Sequence, residues 1–206
     1  MNSDVKEIIS HAKNYLTADI LSKGVPFLML PVFTRILSTE EYGILSIYTS
    51  FVTISVIVFG IGIRGAVGRY YYEKDKSDFK EFYSSNFWFL LSYNIFIIAV
   101  FYFLSSQIAV FFELPARLIK FGVVTIFLLT FIEFYQAYLV AAKKSKEVSI
   151  ISIIQSVFVI VGSALFMYML IEDKYYGRVY TEIIVLSIVL AYVIFSIRSF
   201  IVYQPR

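Results

Sequence analysis

Six apolar runs of roughly twenty residues, separated by short charged turns, constrain this chain more than any other feature. They lie at about residues 15–37, 44–63, 86–106, 121–141, 148–170 and 181–199. A run of that length and polarity is what one helix needs to cross the hydrocarbon core of a bilayer. Strict apolar/polar alternation is absent, which argues against a membrane β-barrel. Composition agrees: 59% of residues are hydrophobic and 16% charged, where soluble domains run near one half and one quarter. The expected fold is all-α, a polytopic membrane bundle of six transmembrane helices forming a single unit over 1–206.

The cations set the expected orientation, because Lys and Arg collect on the cytoplasmic side of short loops. Twelve of the 18 fall on the side of the N-terminus, including Arg64, Arg69, Lys74, Lys76, Lys80, Lys143, Lys144 and Lys146. Five fall on the other side, Arg35, Arg117, Lys120, Lys174 and Arg178, and Lys23 lies inside the first run. Both termini are therefore expected in the cytoplasm. The start, Met1 to Glu7, lacks a basic region followed at once by a short apolar run, so the first span is expected to serve as an uncleaved signal. There are no cysteines, which excludes a disulfide framework and a thiol nucleophile, and His11 is the single histidine.

The first run is unusual for a membrane helix. It holds Asp19, Lys23, Gly24, Pro26 and Pro31 and ends at Arg35. Lys23 sits about 10 Å past the start of the span, with Asp19 one turn earlier on the same face. Either the two pair near the interface while Lys23 snorkels, or Lys23 faces a watery cavity and attracts an anion. Pro26 and Pro31 each remove a helix donor, which gives a packing kink or, with Gly24, a hinge lining a cavity. Ser38 and Glu41 then form a capping box that starts the next helix almost immediately.

Gly60-Ile-Gly-Ile-Arg-Gly65 matches a dinucleotide fingerprint, but it ends a membrane-length run and no βαβ unit follows. A small-residue helix contact through Gly62 and Ala66 suits it better. Arg64 and Arg35 end their spans on opposite sides; each anchors its span at the interface or offers a guanidinium to phosphate oxygens. Glu133 lies near the middle of the fourth span, where a carboxylate carries its proton or pairs with a cation. That suits a proton or cation coupling role, or a structural pair with Lys23. No catalytic constellation or metal-ligand motif stands out, and Lys143-Lys-Ser-Lys146 is too short for nucleic acid. The expectations are no enzyme, no cofactor, no metal and no nucleic acid, with membrane lipid as a partner.

The block Leu30-Pro-Val-Phe-Thr-Arg-Ile-Leu-Ser-Thr-Glu-Glu-Tyr-Gly43, continued by the glycine-rich stretch Gly60 to Arg69, resembles the O-antigen and lipid-linked-oligosaccharide flippases. These belong to the multidrug/oligosaccharidyl-lipid/polysaccharide exporter superfamily. The resemblance implies one lobe of a twelve- or fourteen-helix transporter in a bacterial cytoplasmic membrane. It implies translocation of an undecaprenyl-pyrophosphate-linked oligosaccharide, with Lys23, Arg64 and Arg35 meeting the pyrophosphate. Glu133 and Asp19 would serve coupling, and Gly24, Pro26 and Pro31 a hinge. A second copy or second lobe would complete the cavity. A drug antiporter of the same superfamily and a non-transporting scaffold of a polysaccharide assembly complex are the alternatives.

Overall fold

The computed structural model describes residues 13, 16–17, 20, 24–25, 27–73, 75–198 and 201, with 76 and 77 described in backbone only. Every regular element among them is a helix. In chain order these are α1 (Phe27–Ile36), α2 (Thr39–Gly60), α3 (Ile63–Glu73), α4 (Lys76–Phe103), α5 (Ser105–Phe112), α6 (Ala116–Ala141), α7 (Ser145–Met169) and α8 (Tyr175–Ile197). Five helices, α2, α4, α6, α7 and α8, are long and apolar enough to cross a membrane. The shorter apolar helix α1 occupies the C-terminal part of the first expected span. The chain is thus a polytopic helical bundle, as its apolar runs demand.

Local chemistry explains where the helices begin and end. The Ser38 N–H donates to Glu41 Oε2 at 2.9 Å, and the Glu41 N–H donates back to Ser38 Oγ at 3.2 Å. This is the reciprocal capping box, and it starts α2 two residues after α1 ends. At the far end of α5, Glu113 takes a left-handed φ of 53° and the Leu114 N–H reaches back to the Ala109 carbonyl. Lys143 does the same after α6, with φ 57° and the Lys144 N–H on the Leu139 carbonyl. Both ends satisfy carbonyls that a stopped helix would otherwise leave bare. The polar stretch 64–85, too charged to cross a bilayer, holds most of α3 and the first turns of α4.

The chain divides into two compact units, Met1–Tyr42 with Leu139–Val185, and Gly43–Tyr138 with Leu186–Arg206. In the first, α8 approaches α7 backbone to backbone. A Cβ on Gly177 would stand 2.6 Å from the Met167 backbone nitrogen, and one on Gly162 would stand 2.6 Å from Thr181 Cγ2. Met167 and Val179 are fully buried there. These glycines make the close helix contact that membrane packing favours. In the same unit Glu41 Oε1 accepts the Lys174 N–H at 2.8 Å, and Lys174 Nζ donates to the last carbonyl of α1, that of Ile36, at 3.3 Å.

In the second unit Tyr48 and Phe51 of α2 are buried with Leu118, Ile119, Ile126 and Phe134 of α6. The Tyr48 and Thr125 hydroxyls share a buried hydrogen bond of 3.0 Å, so each has a partner. Phe59 meets Phe101 of α4 edge to face, with centroids 5.3 Å apart.

Candidate functional site

The site is built where α2 stops. Ile61 and Gly62 both take positive φ, 45° and 67°, and the chain turns there into α3. A β-branched residue rarely accepts this region, so the turn is held by its surroundings. A helix that ends also leaves its last carbonyls without intrahelical donors. Two side chains of α4 supply them. The Tyr93 hydroxyl donates to the Val58 carbonyl at 3.2 Å, and Asn94 Nδ2 donates to the Phe59 carbonyl at 3.2 Å and to its own Leu90 carbonyl at 2.8 Å. Asn94 is fully buried.

This corrects one reading of the glycines. Gly62 makes no small-residue helix contact; it sits in the turn, with open space where a Cβ would go. What the glycines do is end α2 and begin α3 within two residues. Ile63 and Val67 then bury the inner face of α3, which fixes its register. Arg64 is left on the outer side of that face, in the first turn of α3.

Arg64 Nη1 donates to Glu133 Oε2 of α6 at 2.9 Å. The guanidinium side is the more open, with side-chain exposure of 59% against 29% for Glu133. Glu133 lies eight residues before the end of α6 at Ala141, about 12 Å along the axis. The pair lets the two charges neutralise each other beside apolar helices. The next cation along, Arg69, is engaged by Glu73 one turn on, at 2.8 Å, and that hydrogen bond pushes its pKa above the ordinary guanidinium value. In the same unit rings of α3, α4 and α6 pack on one another. Tyr70 stacks on Phe82 with centroids 3.9 Å apart, and Tyr83 stacks on Phe134 at 4.4 Å.

Of the residues expected to act, Arg64 and Glu133 are brought together. Arg35 is exposed near the end of α1, in the first unit. Pro31 lies within α1, where it cannot donate to the Phe27 carbonyl, and Gly24 is helical with open space around it. Lys23, Asp19 and Pro26 fall outside the described residues, as does any pair between Glu133 and Lys23. Among the described residues no cluster of three or more His, Asp or Glu gathers to hold a metal ion.

Two contributors escape the sequence reading. Tyr93 and Asn94 look like ordinary polar spots in an apolar run; an asparagine at membrane depth, needing partners, was their only signal. α8 begins at Tyr175 rather than near Thr181, so Glu182 sits about 10 Å inside the helix, one turn from Arg178.

Comparison with known proteins gives three findings. A family model described as polysaccharide biosynthesis protein matches residues 12–205. The chain is 27% identical over 199 residues to a Haemophilus influenzae protein named "Uncharacterized membrane protein", covering 97% of this chain and 45% of that protein. It is 45% identical over 58 residues to "Lsg locus putative protein 1" of the same organism, covering 28% of this chain and 14% of that protein. The chain thus spans less than half the length of these curated relatives. No solved structure matches it.

Proposed function

We propose a function on the premise that the chain belongs to the polysaccharide biosynthesis protein family, a multi-pass membrane protein by its helices. It acts in the making or export of a polysaccharide. More closely, it is the N-terminal lobe of a transporter that flips an isoprenoid-pyrophosphate-linked oligosaccharide across a bacterial cytoplasmic membrane, with both termini cytoplasmic. No chemistry is performed on the substrate; the work is alternating access of one site to the two faces.

The observation that carries this reading is the Arg64–Glu133 pair. A guanidinium placed at the end of a membrane-length helix, half open and joined to one carboxylate, suits the oxygens of a phosphate. Lys23 and Arg35 add positive charge in the first span, and Asp19 is the coupling carboxylate of that span. Pro31, with Gly24 and Pro26, lets that span bend.

The test is a deletion strain complemented with the full-length protein. Loss of surface polysaccharide with accumulation of lipid-linked repeat units is expected on deletion, and Arg64→Ala is expected to restore export poorly. Unchanged polysaccharide with raised drug susceptibility would instead make the protein a drug antiporter. Full rescue by Arg64→Ala would remove Arg64 from the site.

A further inference from the structure

We propose that Glu133 is the resident counter-ion of an anion site at Arg64, so that a phosphate oxygen reaches the guanidinium by taking the place of the Glu133 carboxylate. This deepens the reading above and rests on it.

The geometry favours exchange over a permanent clasp. Arginine presents five N–H donors in a rigid fork, and the contact to Glu133 is a single one, Nη1 to Oε2, rather than the bidentate grip that two carboxylate oxygens can form. The guanidinium is the exposed member of the pair and the carboxylate the sheltered one, so an incoming anion meets Arg64 first. The backbone that carries Arg64 is fixed, because Ile63 and Val67 are buried on the other side of the same turn. Only the side chain has to move.

The energetics point the same way. Glu133 is the carboxylate within hydrogen-bond reach of Arg64, so it serves as the resting partner of the empty site. A partly exposed pair is weak, worth at most ~1 kcal/mol. A phosphate, with more charge and a matching bidentate face, outcompetes a single carboxylate oxygen. The site is therefore paired when empty and paired when full, and Glu133 sets how tightly the anion must bind to enter. The ligand chemistry is a phosphate or pyrophosphate group, carried by a lipid-linked sugar or by a phospholipid headgroup.

The experiment measures binding of inorganic pyrophosphate to the full-length protein in nanodiscs of zwitterionic lipid, by calorimetry. Wild type is expected to bind, and Arg64→Ala to bind at least about tenfold more weakly, as losing a charge-assisted hydrogen bond implies. Glu133→Gln is expected to bind about fivefold more tightly, the fold-change of a partly exposed ion pair. The double variant is expected to match Arg64→Ala. Unchanged or weaker binding by Glu133→Gln overturns the proposal, as does a double variant that keeps the gain, since Glu133 would then act without Arg64. Should the glutamine variant not fold, Glu133→Asp keeps the charge and shortens the arm; it too is expected to bind more tightly, and unchanged affinity overturns the idea. Repeating the wild-type titration with phosphatidylglycerol in the disc separates the sources: competition by that lipid marks a headgroup site. A failed flippase reading shows elsewhere, as a deletion strain without lipid-linked intermediates, whatever these affinities are.

Discussion

Arg64 shows what one residue can do that its nearest chemical relative cannot. Lysine places a single compact ammonium where arginine places a planar fork. An Arg64→Lys variant can hold the Glu133 carboxylate, now 2.9 Å from Nη1, but has no second parallel pair of donors for a phosphate. The expected outcome is a protein of nearly unchanged thermal stability whose export falls about tenfold or more, the loss of a charge-assisted hydrogen bond. Surface polysaccharide in the complemented strain reads the first quantity and thermal unfolding in detergent the second. Normal export with lysine would show that only charge is needed at this position. Sequence named both members of the pair and could not join them, because 69 positions separate them and depth alone does not say which helix face meets which. Ser38 and Glu41 were legible as a pair because three residues of helix bring them together without any tertiary information.

At the scale of the element the glycines carry the lesson. The sequence holds nine, and a small side chain serves equally for a tight helix contact and for a left-handed turn. Gly62 looked like the first and is the second: its φ is 67° and the space beside it is open. Gly177 is the contact, with the Met167 backbone 2.6 Å from where a Cβ would sit. The two therefore differ in what alanine does. Gly177→Ala drives a methyl into backbone that cannot swing aside, and is expected to cost about 2–3 kcal/mol through overpacking. Gly62→Ala meets no atom and carries only the left-handed penalty, about 1–2 kcal/mol. Thermal unfolding of the two variants in one detergent orders them, and an equal or reversed order would mean that α7 and α8 relax apart freely. The ends of α2 and α8 were blurred for a related reason. Apolar runs report where lipid begins, whereas the helices continue past it, so α8 starts at Tyr175 and draws Glu182 inside.

For the whole molecule, class was plainly legible and assembly was not. Long apolar runs leave no alternative to helices in lipid, since each backbone group must find its partner within its own segment. How the runs pair depends on a few contacts, such as Tyr48 with Thr125 or Asn94 with the end of α2, that hydropathy does not record. Orientation is the remaining question, and it bears directly on function. Arg64 follows α2, and Glu133 lies about 12 Å from the end of α6 that leads into Lys143 and Lys144. If the lysines mark the cytoplasmic side, the pair faces the leaflet where a substrate made in the cytoplasm is loaded. The chain has no cysteine, so each introduced thiol is unique within it. With a membrane-impermeant maleimide on intact cells, Glu113→Cys and Glu172→Cys are expected to label at once. Glu81→Cys and Lys143→Cys are expected to label only after the membrane is opened. All four positions are exposed, so burial does not confound the comparison. The opposite pattern would place Arg64 and Glu133 toward the outer leaflet, where a phosphate would be met on release rather than on loading.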